Sequence, residues 1–316
     1  MSHGPAPRPS HAQGWITDPP IADWDDAYAN AAHIPQSERW PDRWIEAARR
    51  HRERVAARAG VSDGESTDGE GSDAEFDIAY GTHERERLDL YRPPRDATRV
   101  TDGASPRGLV LFVHGGYWMK FDRSVFSHCA AGPLARGWAV ATPSYPLAPD
   151  WTLDRIAGAL ARSLRVASER VAGPIRLVGH SAGGHLVTRI LSSHDGTAPP
   201  IGRELGRRVE RVVSISGVHD LRPLLRTGIN ATLRLDPATA RSESPALLAP
   251  FEGTSLVAWV GQAERAEFVR QSRLLADTWR GLGAATRLVV EPDRHHFDVI
   301  EALADPASPL TDCVAS

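Results

Sequence analysis

Ile175-Arg176-Leu177-Val178-Gly179-His180-Ser181-Ala182-Gly183-Gly184-His185-Leu186 is an apolar run that breaks at a glycine-framed serine and resumes as a helical pattern. IRLVG (175–179) has the length and apolar density of a buried strand, and AGGHLVTRILSS (182–193) reads as a helix. The residues between them, 179–183, fit G-x-S-x-G, the sharp strand-to-helix turn that lifts a serine hydroxyl above the carboxyl end of a sheet. Side chains at the flanks of such a turn would clash, so glycines stand there. Backbone N–H groups and the positive end of the helix dipole favour negative charge developing beside the serine. Ser181 is therefore the candidate nucleophile.

Upstream, GLVLFV (108–113) is another apolar run, and it continues into His114-Gly115-Gly116-Tyr117-Trp118. A glycine pair after such a strand lets the backbone approach a reacting carbonyl and supply an oxyanion-binding N–H. Gly115, Gly116 and Tyr117 are the candidates on this loop, and Ala182, which follows the serine, is the candidate for a second N–H. His114 is expected to brace the loop by hydrogen bonding rather than to move protons. Tyr117 and Trp118 either place aromatic bulk beside the reacting carbonyl or, in the case of Trp118, pack in the core; the pattern leaves both open.

With this elbow the acid and the base follow the serine in the order carboxylate, then histidine. The chain has 13 histidines, so position must choose among them. TRLVVE (286–291) reads as the last strand, and PDRHHFD follows it. His296, next to the apolar Phe297, is the candidate base, with His295 as its rival. The loop after SLVAWVG (255–261) holds Glu264, the candidate acid, which would fix the imidazole tautomer. Asp220 is the runner-up, and Glu267 is expected to open the next helix.

The remaining pattern fits an α/β fold with a mostly parallel central sheet, helices on both faces and a small cap. FDIAY (76–80) and RLDLYR (87–92) read as a hairpin, and WAVATP (138–143) and RVVSIS (211–216) as strands. Helices are expected over 40–58, with Trp40, Trp44, Ala48, His51 and Val55 on one face, over 152–171, and over 266–282, with Phe268, Leu275, Trp279 and Leu282 together. Residues 1–14 read as a disordered tail and 62–75 as an acidic loop. The rest is expected to form one domain (15–316), with a helical extension at 15–60 and a proline-broken cap-like segment at 220–250.

Composition narrows the function. A formal charge of −3 with no long basic run argues against a nucleic-acid partner. Two cysteines, Cys129 and Cys313, make no disulfide framework and suggest no metal site, and attack by a serine with a histidine base implies no metal or organic cofactor. No 18-residue apolar stretch is present to span a membrane, and no secretory pattern opens the chain, so a cytoplasmic location is expected. The partner is a small-molecule substrate; a homodimer stays open.

Five segments carry a resemblance from about Tyr28 to about Leu310: HGGYW (114–118), SYPLAPDWTLDRI (144–156), GHSAGGHL (179–186), GQAERAEFVRQS (261–272) and HHFDVIE (295–301). They resemble those of the kynurenine formamidases, or arylformamidases, and their bacterial relatives. The resemblance implies an α/β-hydrolase fold, Ser181, Glu264 and His296 as the triad, and removal of a formyl group from an aryl amide such as N-formyl-L-kynurenine. The acid is glutamate here, where animal members carry aspartate. A carboxylesterase acting on short-chain aryl esters is the alternative, and a catalytically dead binding module is a third, which the intact triad opposes.

Overall fold

The computed structural model describes residues 20–59, 74–94, 105–194 and 197–316. The expected tail lies outside these residues, as does nearly all of the acidic stretch. Ala74 and Glu75, assigned to that stretch by the sequence reading, open the first strand instead.

Ten strands follow in chain order: β1 (Ala74–Ala79), β2 (Arg87–Tyr91), β3 (Leu109–Val113), β4 (Ala139–Pro143), β5 (Ile175–His180), β6 (Ser192–Ser193), β7 (Val209–Ile215), β8 (Ala249–Pro250), β9 (Ser255–Gly261) and β10 (Ala285–Glu291). Eight of them form one sheet in the order β1-β2-β4-β3-β5-β7-β9-β10, and β6 and β8 pair separately. β1 runs antiparallel to β2, and β2 to β4, as the hairpin pattern requires. From β4 across to β10 every pairing is parallel.

Parallel strands are covered on both faces, so they are apolar throughout rather than alternating. Every residue of β3, β4 and β5 is buried. The two-residue period of a strand still sorts them. Leu109, Leu111 and Val113 of β3 join the core on one face with Ile156, Leu160 and Leu164. Val110 and Phe112 join the other face with Trp44, Phe126 and Trp138.

The helices fall close to the expected positions. Trp40–Ala59 buries Trp44, Ala48, His51 and Val55, and leaves Trp40 half-buried. Leu153–Arg170 buries Ile156, Leu160, Leu164 and Ala167. Ala266–Gly281 buries Phe268, Leu275 and Trp279, but Leu282 lies past its end and is exposed, which corrects the predicted face. Residues 220–250 fold as short helical pieces, Arg222–Arg226, Asn230–Leu233, Pro237–Ser242 and Pro245–Leu247. No helix of the described residues is long and apolar enough to cross a membrane.

Candidate active site

The turn at Ser181 is as tight as its sequence requires. A Cβ on Gly179 would lie 2.2 Å from the Gly183 carbonyl oxygen, and one on Gly183 would lie 2.0 Å from the Val113 oxygen. Only glycine permits that crossing of strand and helix. Ser181 itself is held at φ 54°, ψ −117°, a conformation that costs a side-chain-bearing residue free energy and is kept by its surroundings. Its N–H donates to the Ile215 oxygen of β7 at 2.8 Å, and the Ala182–Arg189 helix begins immediately after it. Ser181 is buried and lines a cavity of about 440 Å³.

The glycine loop after β3 lies directly over this serine. A Cβ on Gly115 would stand 3.0 Å from the Ser181 Cβ. Gly116 has φ +106°, and Tyr117 and Trp118 have φ 51° and 58°, so the loop turns sharply out of the strand. Among the described residues, the backbone N–H groups of Gly116, Tyr117 and Ala182 donate to no protein acceptor. His114 braces the loop. Its Nδ1 meets the Gly115 oxygen at 2.8 Å, its ring stacks on Tyr145 with centroids 4.4 Å apart, and the Tyr145 hydroxyl donates to the His114 oxygen. Burial lowers its pKa to about 4, so the ring is neutral.

Trp118 is fully buried. Its indole N–H donates to His185 Nδ1 at 3.2 Å, so it supports the helix that follows Ser181 and does not line the cavity, whereas Tyr117 does. Of the two readings open from the sequence, core packing holds for Trp118.

Glu264 and His296 come together from loops after different strands. His296 Nδ1 lies 2.7 Å from Glu264 Oε2, and neither side chain is appreciably exposed. Glu264 Oε1 accepts from the Gly261 N–H at 2.8 Å and from the Ser216 hydroxyl at 2.5 Å. The carboxylate is thus fixed on three sides. The ring of His296 is wedged against Phe268 at 4.6 Å and His180 at 4.8 Å, and His296 lines the same cavity as Ser181. His180 Nε2 donates to the His296 carbonyl at 2.8 Å; burial, and then the nearby His296, hold its pKa well below the usual histidine value.

The rivals are elsewhere. His295 Nδ1 accepts from the Phe297 and Asp298 N–H groups, and its ring meets Trp40 edge-on at 5.2 Å. Asp220 is paired with Arg222 at 2.8 Å. Glu267 sits in the first turn of its helix, as expected, where it accepts from Tyr28 and Arg270.

Sequence reasoning missed two contributions. Ser216 is one: a serine ending a strand carries no signal that its hydroxyl will hold an acid 48 residues away. The other is the cover. Ile229 is the residue of 220–250 that lines the cavity, while Tyr28, Asn30, Ser37, Pro41 and Trp44 of the N-terminal extension supply more of its wall. The extension is tied down by the Tyr117 hydroxyl, which donates to the Tyr28 oxygen at 2.6 Å, and by Arg265, which binds Asp26.

This sheet order, elbow and facing pair define a hydrolase, and the alpha/beta hydrolase family matches residues 110–313, so the chain belongs to it. Within it the chain is a kynurenine formamidase-like enzyme. It is 29% identical over 250 residues to kynurenine formamidase of Salmo salar, covering 75% of this chain and 79% of that one. It is 31% identical over 212 residues to that of Drosophila melanogaster, covering 62% of this chain and 68% of the relative. A solved structure from Silicibacter sp., provisionally named a thioesterase, superposes with TM-score 0.80 at 38% identity over 93% of this chain and 99% of its own.

Proposed function

We propose that the protein is a serine hydrolase that removes a formyl group from an aryl amide, N-formyl-L-kynurenine being the substrate that best fits, with L-kynurenine and formate as products. The observation that carries the chemistry is the buried Glu264–His296 contact on the cavity that Ser181 also lines, together with three backbone N–H groups that have no protein acceptor among the described residues. With Glu264 on Nδ1, the proton of neutral His296 is held there and Nε2 is left as the base. His296 takes the Ser181 proton as the oxygen attacks the carbonyl. The N–H groups of Gly116, Tyr117 and Ala182 receive the oxyanion. His296 then protonates the departing amine, leaving a formyl ester on Ser181. Water, deprotonated by the same imidazole, releases formate and restores the serine.

Two features support a small acyl group on an aromatic leaving group. The oxyanion loop crowds the serine: even a methyl group on Gly115 would stand 3.0 Å from the Ser181 Cβ. The rest of the cavity carries Trp44, Phe121, Phe126 and Phe297, rings suited to stack on an aryl body. The relatives named kynurenine formamidase favour the amide over the ester.

The test is N-formylkynurenine beside a chain-length series of aryl esters and an aryl thioester. Release of kynurenine, with ester rates falling from acetate to octanoate, is the expected result. Rates that rise toward octanoate with no kynurenine formed would leave the esterase and remove the formamidase. Labelling of Ser181 by a fluorophosphonate separates either enzyme from a binding module.

A further inference from the structure

Among the described residues, nine buried side chains carry a nitrogen or oxygen with no hydrogen-bond partner, and three of these, Asn30, Trp44 and His180, line the one cavity that holds Ser181. In Asn30 and Trp44 the unpartnered atom is an N–H donor, Nδ2 and Nε1 respectively. Both side chains come from the N-terminal extension, and both residues are at least nine-tenths buried. A buried donor without an acceptor is costly, and where one persists a ligand or ordered solvent is the usual partner.

A third donor lines the same cavity. Lys120 is the chain's single lysine, all its other permanently basic side chains being arginine. It stands on the far arm of the oxyanion loop, exposed, with its N–H donating to the Gly116 oxygen at 3.1 Å. Nearly every arginine near the site is committed, Arg265 to Asp26 and Arg85 to the Tyr145 and Phe121 carbonyls. Among the described residues no carboxylate lies within ion-pair distance of Lys120. The acidic side chain lining the cavity is Glu38, highly exposed and 3.9 Å from Arg39.

Two donors without acceptors and one unpaired cation, on residues that line a cavity whose remaining wall is mainly apolar, ask for the same complement. We propose that Asn30, Trp44 and Lys120 form a subsite for a carboxylate carried on the leaving group. The rings of Phe121, Phe126 and Phe297 would take the aryl body, and the N–H donors and the ammonium the anionic head. This deepens the formamidase reading and rests on it for the identity of the leaving group. It does not rest on it for the anion, because the donors are present whichever bond is cleaved.

The experiment uses two substrate pairs. One is a formanilide whose ortho side chain ends in a carboxylate, beside its primary-amide isostere; the other is the matching pair of phenyl acetates. The quantity read is the ratio of kcat/KM for acid over amide. In the wild-type protein the ratio is expected above about 10, as a charged acceptor meeting buried donors gains over a neutral one. It should shrink in about 0.5 M salt, which screens Lys120. Lys120→Gln should lower it about fivefold, the scale of an exposed charge pair, and Asn30→Ala at least about tenfold, chiefly through KM. Reductive methylation, which reaches Lys120 and the α-amino group and keeps the charge, should leave more of the ratio than acetylation, which removes it. A merely structural role for Asn30 would lower both members of a pair together and leave the ratio intact. A wild-type ratio near one, or one that neither variant moves, overturns the subsite. Discrimination among the esters with no turnover of formanilides would remove the formamidase and keep the subsite. Turnover of both formanilides at equal rates would do the reverse.

Discussion

Replacing Glu264 with Gln changes one oxygen to an NH2 group and almost no volume, so its effect isolates the acid's role. The carboxylate accepts three hydrogen bonds, from Gly261 N–H, Ser216 Oγ and His296 Nδ1. An amide has one oxygen for these. If that oxygen keeps Gly261 and Ser216, the NH2 faces His296, whose Nδ1 must become the acceptor. The ring proton then sits on Nε2, the atom that must take the Ser181 proton. If the amide turns over instead, its NH2 faces the Gly261 N–H, leaving two buried donors in opposition at a cost of about 1–3 kcal/mol. The first arrangement is therefore favoured, and it disarms the base. Inverting the tautomer in a Ser-His-Asp triad costs about 10⁴ in kcat, or ~5.5 kcal/mol at 1.36 kcal/mol per decade. A loss of about 10³ to 10⁴ is expected here, with KM and the melting temperature nearly unchanged. Asp220→Asn is the control: its carboxylate serves Arg222, and less than about fivefold should be lost. Steady-state kinetics on an aryl acetate, with circular dichroism of both variants, decides it. Retention of a tenth of the wild-type rate by Glu264→Gln, or an equal loss in Asp220→Asn, would refute the assignment.

Ser181→Ala should keep the fold and lose on the order of 10⁶ in kcat, and residual turnover of a few per cent would exclude it as nucleophile. Ser216→Ala removes one of three hydrogen bonds on the acid and should lower kcat about fivefold, the equivalent of ~1 kcal/mol, with the loss partly recovered in Ser216→Thr. Stability should depend on pH through the buried rings. Burial lowers His114 to about 4 and His185 and His219 to about 3, against 6.5 for a free ring. The unfolded chain therefore takes up protons first. Stability is whole above about pH 6.5 and declines as pH falls toward 4, by up to ~1.4 kcal/mol per pH unit for each ring. Denaturant midpoints that do not move between pH 7.5 and 4.5 would contradict this. EDTA should leave activity untouched, as no group of three potential metal ligands occurs among the described residues; restoration of a lost activity by zinc would count against the serine mechanism.

The parts of the molecule legible in the sequence are those whose physical demands are local. Gly179 and Gly183 are readable because the clash they avoid lies within one turn, and strand β5 and its helix flank them in sequence. The loops of Glu264 and His296 are readable because strands β9 and β10 point to them, and a crossover sheet must deliver both at its carboxyl edge. Trp118 was ambiguous because the direction of one side chain after a sharp turn depends on φ at Tyr117, which its own sequence does not announce. The cover was invisible for a different reason. The extension that carries Asn30 and Trp44 meets the site through contacts distant in the chain, such as Tyr28 with Tyr117 and Glu267, and Trp44 with Phe297. Periodicity reports which face of a helix is buried, and it does so for Trp44, but it does not name what lies opposite.

Those long separations bear on when the enzyme comes to life. Tyr28 meets Phe268 edge-to-face at 5.9 Å, Asp26 binds Arg265, and the base follows at His296. The wall made first by the ribosome thus has its anchor made almost last. A nascent chain that has reached β7 already contains the serine and its elbow, yet it has neither acid nor base, nor the helix on which its opening segment docks. On the proposed triad, the serine remains idle through most of synthesis, and hydrolytic competence arrives in one step as the final sixth of the polypeptide emerges.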